Sequence, residues 1–114
     1  MKTAVWKISL NFLMTEKIYK KLSEGNIFFK NSDVKIDRVV IFLGKKYYSY
    51  SFSFKLFGSK KRQEIIVKII ERTIIQKFLE EKENLSFFER IPLNIVNFFW
   101  GTKQIFKMEI KNGA

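Results

Sequence analysis

The densest group of chemically capable side chains is Lys60-Lys61-Arg62, which follows Ser59 at the start of a long amphipathic stretch. Ser59 is the residue type that caps a helix N-terminus. Three cations in a first turn are unfavourable for the helix, because its N-terminus already carries free N–H groups and partial positive charge. A bound phosphate would relieve that repulsion. Ser59, Lys60, Lys61 and Arg62 are therefore the preferred candidates for phosphate contact, against the plainer reading of a solvated helix entry. Lys45 and Lys46 form a second cationic pair beside Gly44, and Lys17, Lys20 and Lys21 a further basic strip.

The remaining inventory excludes more than it offers. The chain has neither His nor Cys, which removes disulfides, thiol catalysis, Cys/His zinc sites and histidine acid–base chemistry. Asp33 and Asp37 are too few for a metal site, and Glu80, Glu81 and Glu83 read as a solvated helix face. No Gly-rich phosphate loop, G-x-S-x-G or H-E-x-x-H occurs. No cofactor, metal or catalytic residue is implied. The one enzyme class left is a metal-independent ribonuclease using Lys and Tyr, for which no motif speaks.

Lys and Arg number 22 against 11 Asp and Glu, a net charge of +11 on 114 residues. That excess predicts attraction to a polyanion: nucleic acid, an acidic membrane surface or an acidic protein. The length suits one domain spanning residues 1–114, and 46% hydrophobic residues with 13 Phe suffice for a core. The opening MKTAVWKISLNFLM alternates apolar and polar residues as a strand does and lacks a cleavage site, so it does not read as a signal peptide. The apolar runs fall short of the roughly 20 residues a membrane helix needs. A soluble, cytoplasmic protein without membrane contact is expected.

Periodicity supplies the elements that position the cations. Ala4–Leu13 alternates as a first strand. Thr15 caps a short helix holding Ile18, Tyr19 and Leu22, with Gly25 as its stop, and Asn26–Asp33 is a loop plugged by Ile27, Phe28 and Phe29. Ile36–Phe57 is a hairpin broken at Gly44-Lys45-Lys46. In its second strand Tyr48, Tyr50, Phe52, Phe54 and Leu56 share one face, and Ser49, Ser51, Ser53 and Lys55 the other. A helix over residues 60–82 is predicted to present one face through Ile66, Ile69, Ile70, Thr73, Ile74, Lys77 and Phe78, widened by Ile65, Val67, Ile75 and Leu79, although its β-branched residues also suit two buried strands. Ser86-Phe87-Phe88-Glu89 is a capping box; Pro92 then opens a second short helix to Trp100, or the segment is irregular. Lys103–Lys111 is the last strand.

The order β-α-β-β-α-(α)-β resembles the ferredoxin-like arrangement, an α+β sandwich with helices on one face of a four-stranded antiparallel sheet. The resemblance is one of topology and names no function. It implies an open sheet face. With the aromatics under the helices, that face carries Ser49, Ser51, Ser53, Lys55, Lys7, Ser9, Asn11, Lys107 and Lys111, suited to phosphates and sugars. With the opposite parity, Tyr48, Tyr50, Phe52 and Phe54 are displayed for base stacking. The second hairpin strand matches the aromatic alternation of RNA-recognition modules but lacks their K/R-G-F/Y-G/A-F-V-x-F/Y signature.

The first hairpin strand is apolar on both sides, with Val39, Ile41 and Leu43 on one and Val40 and Phe42 on the other. At a sheet edge this calls for a cover, so Val39, Ile41 and Leu43 are expected at the interface of a homodimer or a larger complex, the alternative being that Ile27, Phe28 and Phe29 fold over the strand. Phe87, Phe88, Phe98, Phe99 and Trp100 are further candidates for such a surface. The first functional expectation is a sequence-tolerant module for RNA or DNA, contacting backbone through Lys7, Lys45, Lys46, Lys55, Ser59, Lys60, Lys61, Arg62 and Lys107. The alternative is a small regulator or inhibitor, of the kind mobile elements encode, that binds a larger protein or nucleoprotein complex.

Overall fold

The computed structural model describes residues 2–24, 29, 32–102 and 104–110. Along them run β1 (Thr3–Leu10), α1 (Glu16–Ser23), β2 (Asp33–Phe42), β3 (Lys45–Phe57), α2 (Lys60–Glu83), α3 (Phe87–Trp100) and β4 (Ile105–Ile110). The strands form one open sheet in the order β2-β3-β1-β4, with every neighbouring pair antiparallel. The fold is α+β, as the element pattern predicts. No helix among the described residues is long and apolar enough to cross a membrane.

Period two in β1 and β3 decides the core. Trp6 pairs with Phe54 and Ile8 with Phe52, so these side chains share one face, and all four are buried. α1 and α2 cover that face. Tyr19 of α1 stacks on Tyr50 at 4.2 Å between ring centroids, and Phe78 of α2 lies 4.5 Å from Phe12. Phe29 packs at 5.1 Å on Phe52; Gly25, Ile27 and Phe28, predicted as helix stop and loop plug, lie outside the described residues.

Several expectations are corrected. β1 stops at Leu10, three residues early, because the chain steps sideways there and Met14 bridges Tyr48 alone. The Leu13 backbone, drawn out of the ladder, is satisfied by Asn97 of α3. Its N–H donates to Oδ1 at 2.6 Å and its carbonyl accepts from Nδ2 at 3.0 Å. The hairpin connection is Leu43-Gly44, with φ of 51° and 76°, and Lys45 and Lys46 already belong to β3. Positive φ at both central residues matches the right-handed twist of the strands. Gly44 takes it freely, whereas Leu43 bears a cost of about 1–2 kcal/mol.

Ser59 caps α2 as predicted, accepting from the Arg62 N–H at 3.3 Å, but the buried side is Gln63, Val67, Ile70, Ile74 and Phe78. Ile69 and Thr73, expected inside, are exposed. Isoleucines surround this helix, so period alone does not choose its inner side; the docking of Gln63 on Trp6 and of Phe78 on Phe12 does. Ser86 caps α3 and meets Glu89 as predicted, its hydroxyl accepting from the Glu89 N–H and donating to the Glu89 carboxylate. α3 then runs unbroken through Pro92. The missing proline N–H would have met the carbonyl of Phe88, a residue 84% exposed, where water can take its place.

Candidate nucleic-acid interface

Strand register assigns the sheet's second face. Val5, Lys7 and Ser9 of β1 lie beside Lys55, Ser53 and Ser51 of β3 on one flank and beside Ile110, Met108 and Phe106 of β4 on the other. Phe57 ends the β3 row opposite Thr3, and Lys35 of β2 adjoins Ser51. Phe57 is 57% exposed and Phe106 60%, so two phenyl rings stand in solvent on a face that also carries Lys7, Lys35 and Lys55.

Of the predicted phosphate contacts, the structure gathers most at one end of this face. Lys55 lies on the last turn of sheet before Gly58, and Lys60, Lys61 and Arg62 open α2 directly after it. Lys2 joins them, its carbonyl accepting from the Gly58 N–H at 2.9 Å. Gly58 has φ of 112°, and a Cβ there would sit 3.0 Å from Arg62 Cδ, so glycine lets the arginine stem fold back over the strand end. All five cations are exposed, and none takes part in an ion pair among the described residues.

This end is fastened by Gln63, only 3% exposed. Its Oε1 accepts from Trp6 Nε1 at 3.0 Å, and its Nε2 donates to the carbonyls of Gly58 at 3.0 Å and Lys2 at 3.4 Å. One amide thereby ties the start of β1, the end of β3 and the first turn of α2. A polar side chain between a basic run and Glu64 gives no signal of this role beyond its i+4 position from Ser59.

Other predicted residues are not brought together. β3 runs 13 residues, about 40 Å at roughly 3.3 Å per residue, so Lys45 and Lys46 stand at the far end from Lys60. Lys107 pairs with Ile8 and therefore faces the helices, where its Nζ meets Glu71 of α2 at 3.0 Å. That is a correction to its expected place on the open face; Phe106 and Met108 occupy it instead. Ser49 and Ser51 are likewise not presented, being 1% and 2% exposed. The Ser51 hydroxyl donates to Asp37 at the β2 bulge, 2.9 Å away, and Arg38, paired with Ser49, reaches across to the Asn11 carbonyl at 3.4 Å. Tyr50, Phe52 and Phe54 lie buried under the helices, which removes them as stacking platforms. Lys111 and the β4 start at Lys103 lie outside the described residues.

Val39 and Ile41 are 51% and 67% exposed on the edge strand β2, and Leu43 is 79% exposed in the turn that follows. The bulge between Ile36 and Arg38 bends this edge, a device that discourages strand addition.

Three tyrosines have their phenols held further toward the neutral form. Burial pushes Tyr19 and Tyr47 up, and burial together with Tyr19, Tyr48 and Glu16 pushes Tyr50 up to about 12. The neutral phenol is thus favoured in the folded state, and its stabilisation is complete below the unfolded value near 10. It is lost as pH rises from about 10 through 12. Urea unfolding should show wild type losing more stability than Tyr50→Phe between about pH 9 and pH 11; equal losses would contradict the assignment. No group of three or more acidic side chains suited to a metal occurs among the described residues.

No family model matches this chain, and neither a curated protein nor a solved structure does.

Proposed function

We propose that the protein binds single-stranded nucleic acid, with little regard to sequence, across the open sheet face and the α2 entry. The observation that carries this reading is the presence, on the face turned away from α1 and α2, of two exposed phenyl rings, Phe57 and Phe106, with Lys7, Lys35 and Lys55, although the hairpin end of that face is closed, with Tyr47, Ser49 and Ser51 buried. Lys2, Lys60, Lys61 and Arg62 extend that face at its end. Cations that follow the backbone and rings on which bases stack are the two components of sequence-tolerant single-strand binding. The strand order β2-β3-β1-β4 with antiparallel neighbours supports the ferredoxin-like reading of the topology. Such a module would act in the cytoplasm on RNA or exposed DNA.

The stacking component is testable by itself. Each base stacked on an aromatic side chain contributes about 1–3 kcal/mol. Phe57→Ser with Phe106→Ser should therefore weaken binding to a labelled single-stranded RNA by roughly 30-fold or more, and leave binding to a duplex of the same length nearly unchanged. Equal weakening for both would remove stacking from the account.

A further inference from the structure

Helix α3 is apolar on the side that faces away from its own domain. Its inner side is Leu93 and Val96, fully buried, with Asn97 clamping Leu13. Phe87, Phe88, Phe98 and Phe99 are 67%, 84%, 81% and 66% exposed, and Ile91 is 40% exposed. With Ile95 these side chains fall within an arc of about 120° at 3.6 residues per turn. An uncharged aromatic stripe of this size is rare on a free surface.

We infer that this stripe is the contact surface of a homodimer, in which α3 of one copy packs antiparallel on α3 of another about a two-fold axis. The order of its residues points to that pairing. Counted outward from Leu93, isoleucine stands two positions away on both sides (Ile91, Ile95) and phenylalanine five and six away on both sides (Phe88 and Phe98, Phe87 and Phe99). The stripe reads the same in both directions. A two-fold interface sets residue i on residue j and j on i, so antiparallel pairing centred at Leu93 places Ile91 on Ile95 and Phe88 on Phe98, twice.

Spacing and area agree with that pairing. Phe88, Ile91, Ile95 and Phe98 follow steps of three, four and three, the pattern that interlocks side chains between helices. At about 200 Å² per ring, the four phenylalanines hold roughly 600 Å² of exposed surface per copy, near the ~800 Å² each partner contributes to a stable complex. Charge decides against a lipid surface as the occupant. Interfacial helices carry Lys and Arg along their polar face, whereas α3 has only Arg90, and its guanidinium is held by the Glu83 and Leu85 carbonyls at 2.9 and 3.1 Å. An uncharged stripe also lets two chains of net charge +11 approach.

The test is mass in solution together with directed cross-linking. Light scattering at tens-of-micromolar concentration should give twice the 13.7 kDa chain mass. Ile91→Lys and Ile95→Lys should each give the monomer with an unchanged circular-dichroism spectrum of the folded state, since neither side chain belongs to the domain's own core. The chain has no cysteine, so introduced thiols report alone: mixing Phe88→Cys with Phe98→Cys should give a disulfide-linked dimer that neither forms by itself. A monomeric wild type overturns the inference, whatever else the stripe binds. So does a dimer that survives Ile91→Lys and dissociates with Ile41→Lys on the β2 edge, or equal cross-linking within each single-cysteine protein.

Discussion

Replacing Lys60, Lys61 and Arg62 together by glutamate is expected to weaken binding to single-stranded RNA by at least about 100-fold near 0.1 M salt. Affinity falls as roughly the 0.7 power of salt for each contacted phosphate, so one contact is worth a factor of about five at that concentration and three are worth about 100. Repulsion from the new carboxylates adds to the loss. The slope of log K against log salt should shrink by about 2 in magnitude. The same change should not harm the fold. All three side chains are exposed, α2 has no acidic residue in its first turn, and Ser59 keeps its capping bond to the Arg62 backbone N–H. Glutamates at a helix N-terminus are favourable by about 0.3–1 kcal/mol each. Loss of binding with equal or higher stability separates a ligand contact from a structural one. Unchanged affinity would mean that the α2 entry is merely solvated.

Gln63→Leu is expected to be among the most destabilising single changes that preserve side-chain size. It strands the Trp6 indole N–H and removes the donor to the Gly58 carbonyl, both enclosed where α2 meets the sheet. Leaving a buried polar group unpaired costs about 1–3 kcal/mol, so a loss of roughly 2–4 kcal/mol is expected by urea unfolding. A double-mutant cycle with Trp6→Phe isolates the bond. Removing both partners should cost less than the two single losses combined, by about 1 kcal/mol or more. Simple additivity would show that the two groups do not depend on one another. Because Gln63 also holds Lys2 and Gly58 beside the α2 entry, Gln63→Leu should also reduce nucleic-acid affinity when binding is measured well below its unfolding transition.

The parts of this protein legible in its sequence are those fixed by local chemistry. Thr15, Ser59 and Ser86 each announce a helix start, and each accepts the backbone N–H three residues on. The alternation of β1 and β3 places Trp6, Ile8, Phe52 and Phe54 inside without reference to any other element. What was not legible depends on packing between elements. β4 alternates as cleanly as β1, yet only its register against β1 shows that Phe106 and Met108 face solvent and Lys107 faces Glu71. α2 carries isoleucines on several sides, so its inner side awaited Gln63 and Phe78 finding Trp6 and Phe12. Pro92 reads locally as a helix start, but inside α3 it is tolerated because the carbonyl it deprives is close to the N-terminus and exposed.

The same reasoning explains the candidate site. The Lys60-Lys61-Arg62 cluster is visible in the chain, and its joining to Lys55 and Lys2 follows from the tight Gly58 turn between β3 and α2. The phenyl rings that complete the surface come from strand ends, Phe57 on β3 and Phe106 on β4, where no run of aromatics draws notice. The conspicuous aromatic run of β3 is core.

The measurement that tests the central claim most directly is fluorescence-anisotropy binding of the wild-type protein to labelled single-stranded RNA across a salt series. The account predicts micromolar or tighter binding at low salt, with log K falling linearly in log salt at about −0.7 per contacted phosphate. Binding should be stronger for the single strand than for its duplex, and similar for RNAs of unrelated sequence. No binding at low salt, or binding that ignores salt, would contradict it and leave the apolar stripe of α3 as the protein's working surface.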